Sequence, residues 1–252
     1  MKISIITVTY NSGRTLLDTF ESILAQSYTD FEEIVVDGGS TDGTLQILRE
    51  YEPRFNGRLH WISEPDRGIY DAMNKGIRLS TGDVVGFLNS DDFYASAGIL
   101  QSVAEALADE SIDAVYGDVS YVKPFDLNRV IRYFGSKKFR PWKMRLGFMP
   151  PHPSFYCRSG IYSKYGGFDL DFKIAADFEQ LLRFIFVNGI RTKYIEKNFV
   201  TMRDGGASSS GFKSHFQSYR ERRLAFRKNN VYSNFIFATL LYLSKLTEYR
   251  RR

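Results

Sequence analysis

The sequence predicts an α/β fold: a mostly parallel β-sheet flanked by helices, with a helical extension at the C-terminus. Three observations carry this. Runs suited to strands alternate with stretches of helical period through the first half, at the spacing of a parallel sheet covered on both faces. The 252 residues, 43% hydrophobic and 25% charged, contain no low-complexity run and suffice for one large α/β domain or a domain plus a helical extension. The segment 213–252 differs from the rest, being strongly basic around an apolar stretch.

Lys2–Val8 is β-rich and reads as a buried first strand. Ser12–Gln26 carries Leu16, Phe20, Ile23 and Leu24 at helical spacing. Phe31–Val36 is a second strand, ending in Asp37-Gly38-Gly39-Ser40, and Thr44–Tyr51 is a helix that stops before Pro53. Arg58–Ile62, Gly68–Leu79, Asp83–Leu88, Leu100–Leu107 and Asp113–Tyr116 continue the alternation as strand, helix, strand, helix and strand. Asp118–Phe134 suits a hairpin with its turn near Lys123-Pro124. The rigid connector Met149–Pro153 leads into a short strand, Ser154–Cys157, and Ala175–Val187 is a helix. Two short strands follow, at Lys193–Ile195 and Phe199–Met202, and a long helical stretch comes after the polar loop 203–208. The expected division is a body, 1–210, whose halves meet at 117/118, and a tail, 211–252.

One cysteine, Cys157, excludes an internal disulfide and favours a reducing, cytoplasmic setting. The N-terminus lacks the apolar core and cleavage site of a secretion signal. The net charge of +5 divides unevenly: 213–252 holds ten Lys or Arg against two Glu, so residues 1–212 sum to −3. An acidic body with a basic tail argues against nucleic acid and for a tail that meets an anionic surface, the alternative being simple solvation of helices.

Ligands of open α/β sheets bind beyond the carboxyl ends of the strands. Four polar clusters fall there. Thr9-Tyr10-Asn11 follows the first strand. Asp37 ends the second, where a carboxylate suits a base or ribose edge and Gly39 lets backbone approach a ligand; as Asp-Gly-Gly-Ser it is equally a common turn. Asn89-Ser90-Asp91-Asp92 follows the fourth strand. Adjacent carboxylates repel unless a cation or hydrogen-bonding ligand lies between them, and oxygen-only donors suit Mg²⁺ or Mn²⁺ bridging to diphosphate oxygens, although one Asp also suits a helix cap. Asp177 opens the Ala175–Val187 helix, as a general base or as a complement to the helix dipole.

These clusters together resemble the family-two glycosyltransferases of the GT-A fold. Ile5–Asn11 looks like the family's first strand and nucleotide loop, Ile34–Thr44 like its strongest signature, Asp66–Gly76 like its donor-side helix and Asn89–Asp92 like its metal loop. The resemblance spans residues 1 to about 205 and implies an inverting transfer of a sugar from a nucleotide-diphosphate sugar to a hydroxyl. In those terms Asp37 meets the nucleobase, Asp91 the ribose, and Asp66, Asn74 and Lys75 the ribose and phosphates. Asp92 is the metal ligand and Asp177 the base. Two departures are Asn89, where Asp is more frequent, and Ala176, where the family has Glu. His152 resembles a family histidine that meets the metal-diphosphate or the acceptor, or else packs between its prolines. Arg203 with the glycine loop after it suits closure over a diphosphate. Trp142 or Tyr70 suits stacking on a sugar.

Similar bacterial enzymes build surface polysaccharides, which makes a saccharide or lipid-linked saccharide the expected acceptor. The tail stretch Val231–Leu246 is shorter than a bilayer span but suits a membrane interface, with packing on the body or a helix-exchanged homodimer as alternatives. Two rival readings are a sugar nucleotidyltransferase, for which Thr9–Gly13 is a poor triphosphate loop, and a non-catalytic nucleotide- or carbohydrate-binding module.

Overall fold

The alternation of strands and helices becomes one nine-stranded sheet in a computed structural model that describes residues 1–205 and 211–233. In chain order the elements are β1 (Ile3–Thr9), α1 (Leu16–Leu24), β2 (Phe31–Asp37), α2 (Thr44–Tyr51), β3 (Leu59–Ser63), α3 (Ile69–Leu79), β4 (Val84–Phe87), β5 (Phe93–Tyr94), α4 (Ile99–Leu107), β6 (Ala114–Lys123), β7 (Asp126–Phe134), β8 (Tyr156–Arg158), α5 (Ser159–Tyr165), α6 (Ala176–Leu181), β9 (Thr192–Arg203) and α7 (Gly211–Lys228). The strands lie in the order β3-β2-β1-β4-β8-β6-β9-β5, with β7 paired to β6.

The parallel character belongs to β3-β2-β1-β4. Beyond β4 the pairing is antiparallel, apart from β6 with β9. β6 runs through residues 117 and 118, so both expected halves of the body share one sheet. Both faces of β1 are buried, as a central parallel strand requires. Ile3 and Ile5 pack with Leu16, Phe20, Leu48 and Leu100, and Ile6 and Val8 with Ala72, Met73 and Phe178 on the opposite face. Gly86 of β4 is fixed by this packing: a Cβ there would strike the buried ring of Tyr156.

Four local expectations are corrected. The two short strands expected after residue 192 are one strand, β9, whose pairing with β6 is irregular between Tyr194 and Asn198 and resumes at Val200, so the polar stretch Glu196-Lys197-Asn198 interrupts the register without ending the strand. The helix expected over 175–187 is α-helical only to Leu181 and passes into a π-helical turn, Leu182–Val187. α1 starts at Leu16, after turns at Ser12–Thr15, and the short strand after the proline connector starts at Tyr156. The sequence reading did not single out β5 or α5.

The described part of the tail packs on the body. Phe226 of α7 meets Phe178 of α6 edge-on at 5.4 Å, Arg222 donates to the Gly147 carbonyl at 2.6 Å, and Lys228 pairs with Asp169 and Asp171. Gly206–Ser208, most of the apolar stretch and the terminal arginines lie outside the described residues. Among the described residues no helix is long and apolar enough to cross a membrane.

Two glutamates sit side by side in β2 with opposite fates. Burial would raise Glu32, but Lys2, the Ser4 hydroxyl and Thr81 bring its carboxyl down to about 2. Glu33 is wholly buried beside the Thr7 hydroxyl, and burial pushes its carboxyl up to about 8. An unfolded chain releases that proton near 4.5. Stability from the protonated Glu33 is therefore complete below about 4.5 and is lost as pH rises to about 8, after which the dependence flattens. Glu33→Gln should remove this slope. Denaturant melts at roughly pH 5, 7 and 9 should show the variant gaining on the wild type across the window, by up to about 1.4 kcal/mol per pH unit.

Candidate active site

The ends of β1 and β2 are held side by side, with Thr9 paired to Asp37 and the Gly38 N–H donating to the Thr9 carbonyl at 2.9 Å. Asn11 adopts a left-handed backbone, φ 52°, which Asn tolerates better than most residues. Its N–H donates to the Ser40 hydroxyl at 2.7 Å and its Oδ1 accepts from Thr41 N–H at 2.9 Å, so two loops form one surface. Tyr10 stands out from it, 65% exposed.

Asp37 is held inside its own turn. Its carboxylate has no exposed surface and accepts from Gly39 N–H (3.1 Å), Ser40 N–H (2.9 Å), the Ser63 hydroxyl (2.6 Å) and the Ser40 hydroxyl. It is the anchor of the glycine loop, its lone pairs largely engaged by the turn itself. What faces outward there is Tyr10 with the glycine backbone. A side chain on Gly38 would crowd Asp66 Oδ2 at 3.2 Å and the Tyr10 ring at 3.4 Å. Asp66 is paired with Lys75 at 2.6 Å, and Lys75 also reaches Glu64 (2.8 Å) and the Pro65 carbonyl (3.0 Å).

Asn74 is also engaged within the fold. Its Nδ2 donates to the Phe168 carbonyl and its Oδ1 accepts from the Phe168 N–H, both at 2.8 Å. That two-point clasp ties α3 to the chain after Gly167.

The loop after β4 meets the first loop directly. The Ser12 and Ser90 hydroxyls share a hydrogen bond of 2.8 Å, and Thr19 donates to the Asp92 carbonyl at 2.7 Å. The antiparallel register Phe93↔Thr201 carries Arg203 alongside Asp91. Expected as an arm over a diphosphate, Arg203 is only 9% exposed, donates to the Asp91 carbonyl and pairs with Asp18. It ties the acidic loop to α1.

Asp92 is 1% exposed, and its Oδ2 accepts from Asn89 Nδ2 at 3.1 Å. Asn89 thus supplies a donor that the family's more usual aspartate lacks. Burial, then the neighbouring Asp91, push the Asp92 carboxyl well above the usual carboxylate range, against the weaker pull of Asn89 and Arg203. Burial also raises Asp91. Protein groups alone do not stabilise both negative charges, and a cation would. Among the described residues no group of three or more His, Cys, Asp or Glu could hold a metal. Hard oxygen donors from Asp92 and its neighbour therefore fit part of a Mg²⁺ or Mn²⁺ shell that ligand oxygens must complete.

Asp177 lies on α6, half-buried, its Oδ1 accepting the Phe178 N–H at 2.7 Å. His152 connects it to the β4 edge. The imidazole packs on Phe87, the last residue of β4, at 5.1 Å and on Phe168 at 5.4 Å. Burial holds it below its usual value while the Asp177 charge and Gln180 pull it upward. Its Nε2 has no hydrogen-bond partner. Tyr70, considered for sugar stacking, instead donates to the Ile174 carbonyl at 2.7 Å, and Trp142 remains exposed. Sequence reasoning missed Asp18, Gln180 and Glu221. Of these only Glu221 carried a signal, an acid inside Arg220-Glu221-Arg222-Arg223.

The family described as Glycosyl transferase family 2 matches residues 4–163, more than half of the chain. The chain belongs to this family. It is 37% identical over 190 residues to an uncharacterized glycosyltransferase of Mycobacterium tuberculosis, covering 72% of this chain and 68% of that one. It is 32% identical over 215 residues to a PGL/p-HBAD biosynthesis glycosyltransferase of Mycobacterium bovis, covering 82% and 78%. Two solved structures at lower identity share the fold. S. aureus TarS 1–349 in complex with UDP-GlcNAc has a TM-score of 0.70 at 20% identity over 90% of this chain, which spans 66% of that one, just under two thirds. The mannosyltransferase PcManGT from Pyrobaculum calidifontis, in complex with GDP-Man and Mn²⁺, has a TM-score of 0.63 at 19% identity, covering 99% and 81%. This family 2 glycosyltransferase therefore has its expected class and its GT-A fold.

If Asn74 is a clasp, Asn74→Ala should lower the unfolding free energy by about 1–3 kcal/mol through the unpaired Phe168 groups. Nucleoside diphosphate affinity, measured by calorimetry on the folded variant, should stay within about twofold.

Proposed function

We propose that this glycosyltransferase transfers one sugar, with inversion, from a nucleoside-diphosphate sugar to a hydroxyl of a saccharide or lipid-linked saccharide, assisted by Mg²⁺ or Mn²⁺. The supporting observation is the adjacent pair after β4, half-buried Asp91 and buried Asp92, each raised by burial and Asp92 further by Asp91, with Asp177 in electrostatic reach of that edge through His152. The relatives in complex with UDP-GlcNAc and with GDP-Man and Mn²⁺ support a nucleotide-linked donor and a divalent ion.

In this reading the nucleoside lies over the Thr9–Asn11 and Gly38-Gly39 surface, with Tyr10 against the base and Asp66 and Asp91 near the ribose. Asp92 holds the cation, whose charge offsets that developing on the leaving diphosphate. Asp177 accepts the acceptor hydroxyl's proton as the new C–O bond forms and the anomeric C–O bond to the diphosphate breaks. A carboxylate suffices, since the hydroxyl becomes acidic only as that bond forms. His152, kept neutral by burial, lines the wall between the two sides.

In this reading the acceptor binds beside α7. Lys173, Arg220, Arg223 and Arg227, outnumbering Asp171 and Glu221, line a cavity of about 960 Å³ between α7 and the loop before α6, with Phe216 64% exposed beside it. That combination favours an acceptor bearing a phosphate next to apolar chain, or a headgroup of an anionic membrane surface.

The test is release of nucleoside diphosphate from a panel of nucleotide sugars with and without Mn²⁺. Asp177→Asn should keep donor binding and lose turnover by on the order of a hundredfold or more. Asp92→Ala should lose turnover together with the gain in donor affinity that Mn²⁺ gives the wild type. Near-wild-type turnover in Asp177→Asn would remove the base assignment. Pyrophosphate release from a nucleoside triphosphate and sugar phosphate would favour the nucleotidyltransferase reading.

A further inference from the structure

We propose that Glu221, on the C-terminal helix α7, is a positioning residue for the base: it fixes the segment from which Asp177 projects. The inference rests on Asp177 being the base, as proposed above. Glu221 is buried, and its Oε2 accepts three successive backbone N–H groups, from Lys173 at 3.1 Å and from Ile174 and Ala175 at 2.8 Å each. Its Oε1 accepts from Gln217 Nε2 at 2.9 Å, which sets the carboxylate's orientation along α7. Ala175 is the residue immediately before α6, and Asp177 is the second residue of that helix.

The same segment is held from its other side, where the Tyr70 hydroxyl of α3 donates to the Ile174 carbonyl. Lys173–Ala175 is thus fixed through its N–H groups by α7 and through a carbonyl by α3. A carboxylate gripping consecutive amides makes charge-assisted bonds, and these are stronger than neutral ones. The ordinary alternative, that Glu221 merely docks α7, is already served elsewhere. Phe226 packs on Phe178, Arg222 bonds Gly147, and Lys228 pairs with Asp169 and Asp171. An isolated acid flanked by Arg220, Arg222 and Arg223, facing backbone amides and forming no ion pair of its own among the described residues, is suited to setting the loop and not to holding the helix.

The experiment compares Glu221→Ala, Glu221→Asp and Glu221→Gln with the wild type and with Asp177→Asn. Turnover is read as UDP release from UDP-GlcNAc or GDP release from GDP-mannose with Mn²⁺, using whichever donor the wild type consumes. Glu221→Ala should lower kcat about tenfold to a hundredfold with donor KM within about twofold, as expected of a displaced reacting group. Glu221→Asp, one methylene short, should show the same pattern. Glu221→Gln, which keeps an acceptor oxygen at full length, should recover most of kcat. Combined with Asp177→Asn, Glu221→Ala should cause no further loss.

The proposal is overturned if Glu221→Ala or Glu221→Asp is folded and keeps wild-type kcat while Asp177→Asn is inactive. It is overturned equally if the Ala substitution loses as much in the Asp177→Asn background as alone, since that loss would not pass through the base. Should Glu221→Ala fail to fold, the Asp and Gln variants decide. Full turnover in Asp177→Asn would count against the base reading itself, which separates the two failures.

Discussion

β1 pairs in parallel with β2 along its whole length, from Ile3↔Phe31 to Thr9↔Asp37, and with β4 from Ile3↔Val84 to Ile6↔Phe87. The rest of the site depends on that double pairing. Three strands running the same way must finish at one edge of the sheet, so the loops after them share a rim whatever their separation in sequence. The burial of all seven β1 residues fixes the register, because a slip of one position would exchange the residues facing the two cores. From that rim the hydroxyl pair Ser12–Ser90 and the Thr19–Asp92 bond draw the first and fourth loops into one wall.

On this frame the protein assembles more negative charge than its own groups neutralise. Asp91 and Asp92 are both raised, and Arg203 answers them only in part because Asp18 shares its guanidinium. Such a loop is poised for a cation together with an anionic ligand, a pairing that a diphosphate and a divalent metal supply. The second half of the chain brings the opposing wall through a mixed sheet and short irregular segments. Its link to the rim runs through rings: Phe87 on His152, and His152 on Phe168, whose backbone Asn74 clasps.

The sequence made the strands of the first half readable because each is a compact apolar run bounded by turn residues, and the acidic pair because it follows such a run. Polar residues inside a strand hid β9, since Glu196-Lys197-Asn198 breaks the apolar pattern where the register with β6 is itself irregular, and the pairing resumes only beyond it. Asp37 showed how one residue supports two readings: a strand-end carboxylate looks the same in sequence whether a ligand or its own turn occupies its lone pairs. Asn74 was legible as part of a motif but not as a clasp, because its partner Phe168 is distant in the chain. Arg203 was expected to be free for the same reason, its partner Asp18 lying 185 positions away. Glu221 left a faint mark as an acid among arginines, yet nothing local indicates that its oxygen faces three amides.

The central claim is that the rim built from β1, β2 and β4 binds a nucleoside diphosphate together with a divalent cation. Thermal melts of the wild-type protein with UDP, GDP, Mn²⁺, and each nucleotide combined with Mn²⁺ test it most directly, since a ligand selective for the native state raises the melting temperature by mass action. The account predicts a rise for at least one nucleotide with Mn²⁺ that exceeds the sum of the rises from nucleotide and ion alone. Melting temperatures unmoved by both nucleotides, with Mn²⁺ present, would contradict it.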